Sequence, residues 1–265
     1  MADETETGKT PAVAAAEAPP ESPVEEEALE ERGVPAYLAE FLGTFMLVFW
    51  ICMVVSVANG LHVVDYAVIG LVHFLLLAML VYTLGHTSGA HFNPAVTTAL
   101  LTLRKISPVD AVVYILLQLA GAVLGALLCK GLLLDEGSAV NYGATTVSDF
   151  LNGKAFPGLI AETVATFALM WAIMGTAVNP RGQRNWAGLV IGGTLGFAVM
   201  VMAPLTGGSL NPARSFGPAL VSGTWTDFWI YIVGPVVGAA LAALAYNYIV
   251  IVPEHRVAQR PIDKL

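Results

Sequence analysis

The sequence predicts an all-α membrane protein with six transmembrane helices plus two re-entrant half-helices, arranged as an inverted three-helix repeat. Three observations predict it. Only 12% of the 265 residues are charged and 56% are hydrophobic, against about 25% charged in soluble domains. Six apolar stretches are long enough to cross a hydrocarbon core, and two more are half that length. The same short motifs also occur in the same order in the two halves of the chain.

The net charge of −8 resides in the N-terminal segment. Residues 1–32 hold ten acidic and two basic side chains, which leaves the rest of the chain neutral. Residues 1–33 are acidic and rich in Ala, Pro and Glu, so they are expected to form a disordered cytoplasmic tail. They contain neither a basic nor an apolar leader region, and therefore do not read as a signal peptide. Residues 34–252 form the membrane domain, and 253–265 a C-terminal cytoplasmic tail. The absence of clustered Lys and Arg argues against a nucleic-acid partner. Cys52 and Cys129 both sit in apolar runs and read as small core hydrophobes. No metal site and no cofactor is expected.

The long stretches cover roughly 36–59, 66–85, 108–131, 156–178, 187–206 and 227–251. Each matches the ~20 residues that a spanning helix needs. The short ones cover 94–102 and about 212–221; nine or ten helical residues rise only ~14 Å, about half a bilayer. A broken helix at membrane depth is tolerated only where its backbone is buried or lines a wet cavity. That points to a pore or a transporter.

Orientation follows from the basic residues. With both termini cytoplasmic, nine Lys and Arg fall on the inner side, and Lys130 and Lys154 on the outer; Arg214 stays within the membrane. This is the positive-inside pattern of a multi-pass protein of the cell membrane.

Repeat one covers about 36–131 and repeat two about 156–251. Ala39-Glu40 followed by Thr44-Phe45 recurs as Ala161-Glu162 followed by Thr166-Phe167, and Asn93-Pro94-Ala95 recurs as Asn211-Pro212-Ala213. Gly121 and Gly125 are matched with Gly234 and Gly238, each pair in a small-xxx-small spacing that lets helices approach closely. Three spans per repeat is an odd number, so the second repeat enters from the opposite face. Its special segments then meet those of the first at the midplane.

Each short helix opens with Asn-Pro. The asparagine oxygen suits an N-cap, and proline suits the first helical position. With the oxygen engaged in capping, the amide N–H groups of Asn93 and Asn211 remain as donors to the lumen. A water meeting both donors has its lone pairs occupied, so its hydrogens point along the pore and proton hopping is interrupted. Each helix N-terminus adds about +0.5 charge; at ~5 Å and an effective dielectric near 20, two such ends cost a cation roughly 3 kcal/mol.

Ser88-Gly89-Ala90-His91-Phe92-Asn93-Pro94-Ala95-Val96 and Gly207-Gly208-Ser209-Leu210-Asn211-Pro212-Ala213-Arg214-Ser215 resemble the paired motifs of the aquaporin, or major intrinsic protein, family. The resemblance covers about 36–251. It implies an aquaporin-like channel domain, a pore in each subunit and assembly as a homotetramer.

An arginine at membrane depth faces the interior and is a functional residue by default. Arg214 is expected to line the outer half of the pore. By resemblance, His73, Val199, Gly208 and Arg214 form the selectivity filter, a set most like that of plant tonoplast intrinsic proteins. Ser215, Ala219 and Tyr231 match the water-type pattern of the family and Ile232 departs from it. Gly208 replaces a cysteine that makes some members mercury-sensitive. The 132–155 loop lacks the histidine that ammonia-conducting members bring to the pore mouth.

Glu40 and Glu162 are buried carboxylates at equivalent places. Each costs about 3 kcal/mol unless hydrogen-bonded. The repeat favours a structural role, tying down the loop that leads into a half-helix, over a proton relay. His86 and His91 are assigned to the first such loop, and His91 also borders the inner vestibule.

The predicted activity is passive conduction of water, with ammonia, urea or hydrogen peroxide as possible extras, and exclusion of protons and ions. A glycerol or small-solute facilitator with low water flux is the alternative. A secondary transporter also uses broken helices, but no free intramembrane Asp or additional Lys is available for coupling. A structural junction protein on the same fold would show adhesion with negligible flux. No nucleophile–base pair or His-Glu-x-x-His spacing occurs, so no catalytic residues are assigned.

Overall fold

The structure is a computed structural model that describes residues 32–253. The two predicted tails lie outside the described residues, except for Arg32, Gly33 and Pro253 at their borders. The helices are α1 (Val34–Gly60), α2 (Tyr66–Ser88), α3 (Pro94–Thr102), α4 (Pro108–Leu132), α5 (Leu134–Ala139), α6 (Ala155–Ile173), α7 (Ala187–Thr206), α8 (Pro212–Ser222) and α9 (Ile230–Tyr246). A π-helical turn prolongs α6 through Val178 and another prolongs α9 through Ile251. Six of these elements are long and apolar enough to span a membrane; α3 and α8 are the half-helices.

The starts are chemically legible. Asp65 caps α2 by accepting from the backbone of Ala67 and Val68, and Ser107 caps α4 by accepting from Asp110. Asn93 and Asn211 cap the half-helices, each with proline directly behind it. The stops differ slightly from expectation. Helix α2 runs three residues beyond the predicted 85, because Gly85 stays helical and Gly89, at φ 88°, makes the left-handed exit. Residues 227–229 form a turn rather than the start of the last span. Helix α5, inside the 132–155 loop, carries no amphipathic signal and was not predicted.

Packing follows the repeat. Helix α1 lies against α4 as α6 lies against α9, while α2 and α7 pair across the centre. The half-helices cross over, α3 packing on α9 and α8 on α4. Each repeat therefore completes the other, and neither closes a core alone. Large apolar side chains such as Trp50, Leu75, Leu116, Val164, Phe197 and Leu241 are exposed around the outside, as a lipid-facing surface requires. The protein is a multi-pass membrane protein.

One pairing of glycines is corrected. A Cβ at Gly121 would strike Phe41 O and Phe45 N of α1, and a Cβ at Gly238 would strike Thr163 O and Phe167 N of α6. Phe41 and Thr163 directly follow Glu40 and Glu162, so Gly121 corresponds to Gly238. Gly234 lies one turn earlier, against Leu159 O and the Glu162 side chain. Four-residue spacing had made two registers look alike; backbone contact distinguishes them.

Candidate functional site: a lumen between the half-helices

The loops that carry the two Asn-Pro-Ala turns are held from behind by the carboxylates. Glu40 Oε1 accepts from Ser88 Oγ (2.7 Å) and the His91 backbone N–H (2.9 Å); Oε2 accepts from the Phe92 N–H (2.7 Å) and Gln118 Nε2 (2.7 Å). Glu162 repeats this with Thr206 Oγ1 (2.6 Å), Ser209 N–H (3.0 Å) and Leu210 N–H (2.8 Å). Hydrogen bonds to a charged acceptor contribute about 1.5–3 kcal/mol each, enough to offset the burial of both groups. Tyr114 and Tyr231 complete the frame, donating to the carbonyls of Ser88 and Thr206, each at 2.9 Å.

The loops are also matched in backbone. Gly89, Ala90 and Phe92 have φ of 88°, 53° and 48°, and Gly207, Gly208 and Leu210 have 82°, 59° and 54°. Left-handed backbone at a non-glycine costs about 1–2 kcal/mol per residue. Ala90, Phe92 and Leu210 accept that cost because the carboxylates fix the neighbouring N–H groups.

This strained path brings Asn93 and Asn211 together. Each Oδ1 caps its own helix, accepting from Ala95 N–H or Ala213 N–H at 2.9 Å. Each Nδ2 then donates across the repeat boundary at 2.8 Å, Asn93 to Leu210 O and Asn211 to Phe92 O. One of the two amide hydrogens is thereby used on the protein, leaving a single donor on each asparagine rather than the full pair. Only the tertiary pairing reveals that partner.

One cavity touches His73, His91, Asn93, Ser209, Asn211 and Arg214. Its apolar wall comes in repeat-related pairs: Leu47 with Leu169, Ile51 with Ile173, and Leu77 with Leu195. The symmetry breaks at two places. At the offset that relates Asn93 to Asn211, His73 corresponds to Ile191 and Arg214 to Val96, and all four line the cavity. The polar side chains therefore occupy only one of the two equivalent rings.

That ring has a defined donor and acceptor. His73 Nδ1 lies 2.8 Å from the Ile69 carbonyl. A carbonyl only accepts, so the neutral ring carries its proton on Nδ1 and presents Nε2 as an acceptor. Arg214 Nη1 donates to Gly143 O at 2.6 Å. His73 Nε2 and Arg214 Nε have no protein partner among the described residues. Pro94, Ala95, Pro212 and Ala213 are buried in the first turns of α3 and α8. Val199 is buried, and a Cβ on Gly208 would meet its Cα at 3.4 Å. These two predicted filter residues thus adjoin one another beside the cavity, without appearing among the residues that line it.

Several supporting roles were missed from sequence: those of Ser88 and Thr206, of Tyr114, and of the Thr97 hydroxyl. Tyr231 and Ser215 register there only as matches to the water-type pattern, yet they are the repeat counterparts of Tyr114 and Thr97, and a finer comparison of the halves finds the pairs. His91 Nδ1 meets Thr97 Oγ1 at 3.1 Å where Ser209 Oγ meets Ser215 Oγ at 2.6 Å. Gly143 had no signal, since only its carbonyl is used. It ends a run of three left-handed residues, Asn141, Tyr142 and Gly143, in the 132–155 loop. His86, predicted to support the first loop, is exposed instead.

Six spans, two half-helices meeting at their N-termini and a lumen lined from both repeats define a membrane channel scaffold. Residues 28–246 match the family model described as Major intrinsic protein. Three relatives illustrate the range. "Glycerol uptake facilitator protein-like 6" of Lactiplantibacillus plantarum is 44% identical over 78% of this chain and 94% of its own. "Nodulin-26" of Glycine max is 38% identical over 80% and 76%, and "Aquaporin AqpM" of Methanothermobacter thermautotrophicus is 38% identical over 80% and 96%. The solved aquaglyceroporin of Plasmodium falciparum shares the fold, with a TM-score of 0.70, at 24% identity over 84% of this chain and 99% of that one. The chain belongs to the major intrinsic protein family, whose members are passive channels rather than enzymes.

Proposed function

We propose that the protein conducts water and small neutral solutes passively, and excludes ions and protons. The crossed asparagine pair carries this reading: both half-helix N-termini meet beside a lumen whose midpoint offers N–H donors and positive dipole ends. A permeating molecule that accepts from both asparagines cannot pass a proton along the file. An ion would have to shed its water against a wall that is mostly leucine and isoleucine, at a cost of several kcal/mol. In this reading His73, Val199, Gly208 and Arg214 form the filter. His73 Nε2 takes a hydrogen from the solute and Arg214 gives one, so the preferred solutes are small molecules that both donate and accept. The two termini are assigned to the cytoplasm and the assembly to a homotetramer in the cell membrane. Native mass spectrometry in mild detergent tests the tetramer, and a monomer at every detergent concentration would remove it.

Stopped-flow light scattering of proteoliposomes tests the conduction. Osmotic shrinkage is expected to be fast with a low activation energy; shrinkage no faster than bare lipid defeats the proposal. The second reading, a glycerol facilitator with low water flux, is favoured by the 44% identity to a protein named for glycerol uptake. Glycerol, urea, ammonia and water fluxes measured side by side decide between the two.

A further inference from the structure

Cys52 and Cys129 take no part in the pore, yet they are more than two small apolar side chains. Both are 0% exposed. They share an apolar cluster with Val48, Ala122, Ala126 and Tyr142 that is separate from the main core. Ser56 Oγ lies 3.7 Å from Cys129 Sγ; Ser56 stands one helical turn beyond Cys52 on the buried face of α1, so the Cys129 sulfur packs on the face of α1 that carries Cys52. Helix contact explains the meeting. Gly121, Gly125 and Cys129 follow at four-residue intervals along one line of α4. At the two glycines a Cβ would strike the α1 backbone, at Phe41 O and then at Phe45 O and Phe49 N. The helix backbones touch there, so the third member of the line is pressed against the next turn of α1, where Cys52 stands.

We propose that Cys52 and Cys129 form a peroxide-sensitive dithiol that closes reversibly into a disulfide joining α1 to α4. Ser56 is placed to donate a hydrogen bond to the Cys129 sulfur and so support its thiolate. The thiolate attacks one oxygen of hydrogen peroxide and the O–O bond breaks. A sulfenic acid forms, and the departing hydroxide takes up the thiol proton as water. The Cys52 sulfur then attacks the sulfenic sulfur. The S–S bond forms, the S–O bond breaks, and the hydroxyl leaves with the Cys52 proton as a second water. Two thiols lose one electron each and the peroxide gains two. The Cys52 thiol beside the sulfenic sulfur favours closure to the disulfide over further oxidation. The linkage would fasten the α1 turn next to Val55, on which Gly143 sits, and so the seat of the carbonyl that holds Arg214.

The test uses the full-length protein in detergent, treated with hydrogen peroxide, then denatured and alkylated with a maleimide for intact mass. The wild type is expected to lose both adducts, to regain both after dithiothreitol, and to stay monomeric on a non-reducing denaturing gel. Cys52→Ala, which lacks the resolving thiol, is expected to yield a dimedone adduct at Cys129 that the wild type does not show. If both wild-type thiols remain alkylatable, or are lost without recovery by reductant, the proposal is overturned. The wild-type measurement requires no variant to fold. No flux enters it, so its result stands apart from the pore reading.

Discussion

Asn93 and Asn211 each donate to the backbone carbonyl that precedes the other, at 2.8 Å in both directions. The two half-helices are therefore latched to one another directly after the left-handed residues Phe92 and Leu210. Removing either amide breaks a cap and a crossed bond together. Asn93→Ala and Asn211→Ala are each expected to cost about 2 kcal/mol, the sum of a cap and a buried hydrogen bond. A lower unfolding temperature in detergent and a proton leak, read with a pH-sensitive dye inside proteoliposomes, are the expected signs. Wild-type stability together with wild-type proton exclusion would refute the latch.

Arg214 owes its position to Gly143 O at 2.6 Å. Arg214→Val is expected to admit larger neutral solutes. Gly143→Ala is expected to produce a weaker form of the same phenotype. Its Cβ would find ordinary contact with Val55 at 3.5 Å, but φ of 76° penalises a side chain, by about 1 kcal/mol or more. Urea and glycerol permeabilities check both. Unchanged values in Arg214→Val would take Arg214 out of the filter.

His73 supplies the only acceptor that the predicted filter side chains direct at a solute. His73→Phe keeps an aromatic ring and deletes Nε2. Loss of about 1 kcal/mol of hydrogen bonding predicts a roughly fivefold fall in the flux of water and ammonia. Equal water permeability in wild type and variant would argue that the ring acts by size alone.

Glu40 and Glu162 accept four and three hydrogen bonds, respectively. Glu40→Gln and Glu162→Gln turn an acceptor into a donor that faces backbone N–H groups. Each is expected to lose about 2–4 kcal/mol of stability, since buried donors left unpaired cost 1–3 kcal/mol apiece. Thermal unfolding followed by fluorescence measures this. If unfolding is unaltered while proton-coupled transport disappears, the relay reading replaces the structural one.

The amino-acid sequence by itself determined the membrane-spanning architecture, the repeat and the two asparagine caps. Hydropathy over twenty residues, an N-cap and a proline are local properties, and they survive any arrangement of the helices. Local reasoning also put Glu40, Glu162 and Arg214 under suspicion, because an intramembrane charge requires an explanation wherever it falls. It failed where the partner is distant or is backbone. Gly121 was matched to the wrong glycine because a four-residue period repeats itself. Gly143 carries no side chain to notice, and the crossed asparagine bonds join residues more than a hundred positions apart. Only the tertiary structure decided which residues stand opposite the polar pair His73 and Arg214. These two come from different repeats, and their counterparts, Ile191 and Val96, are ordinary apolar residues until the packing of α2 against α7, of α3 on α9 and of α8 on α4 turns all four toward one space.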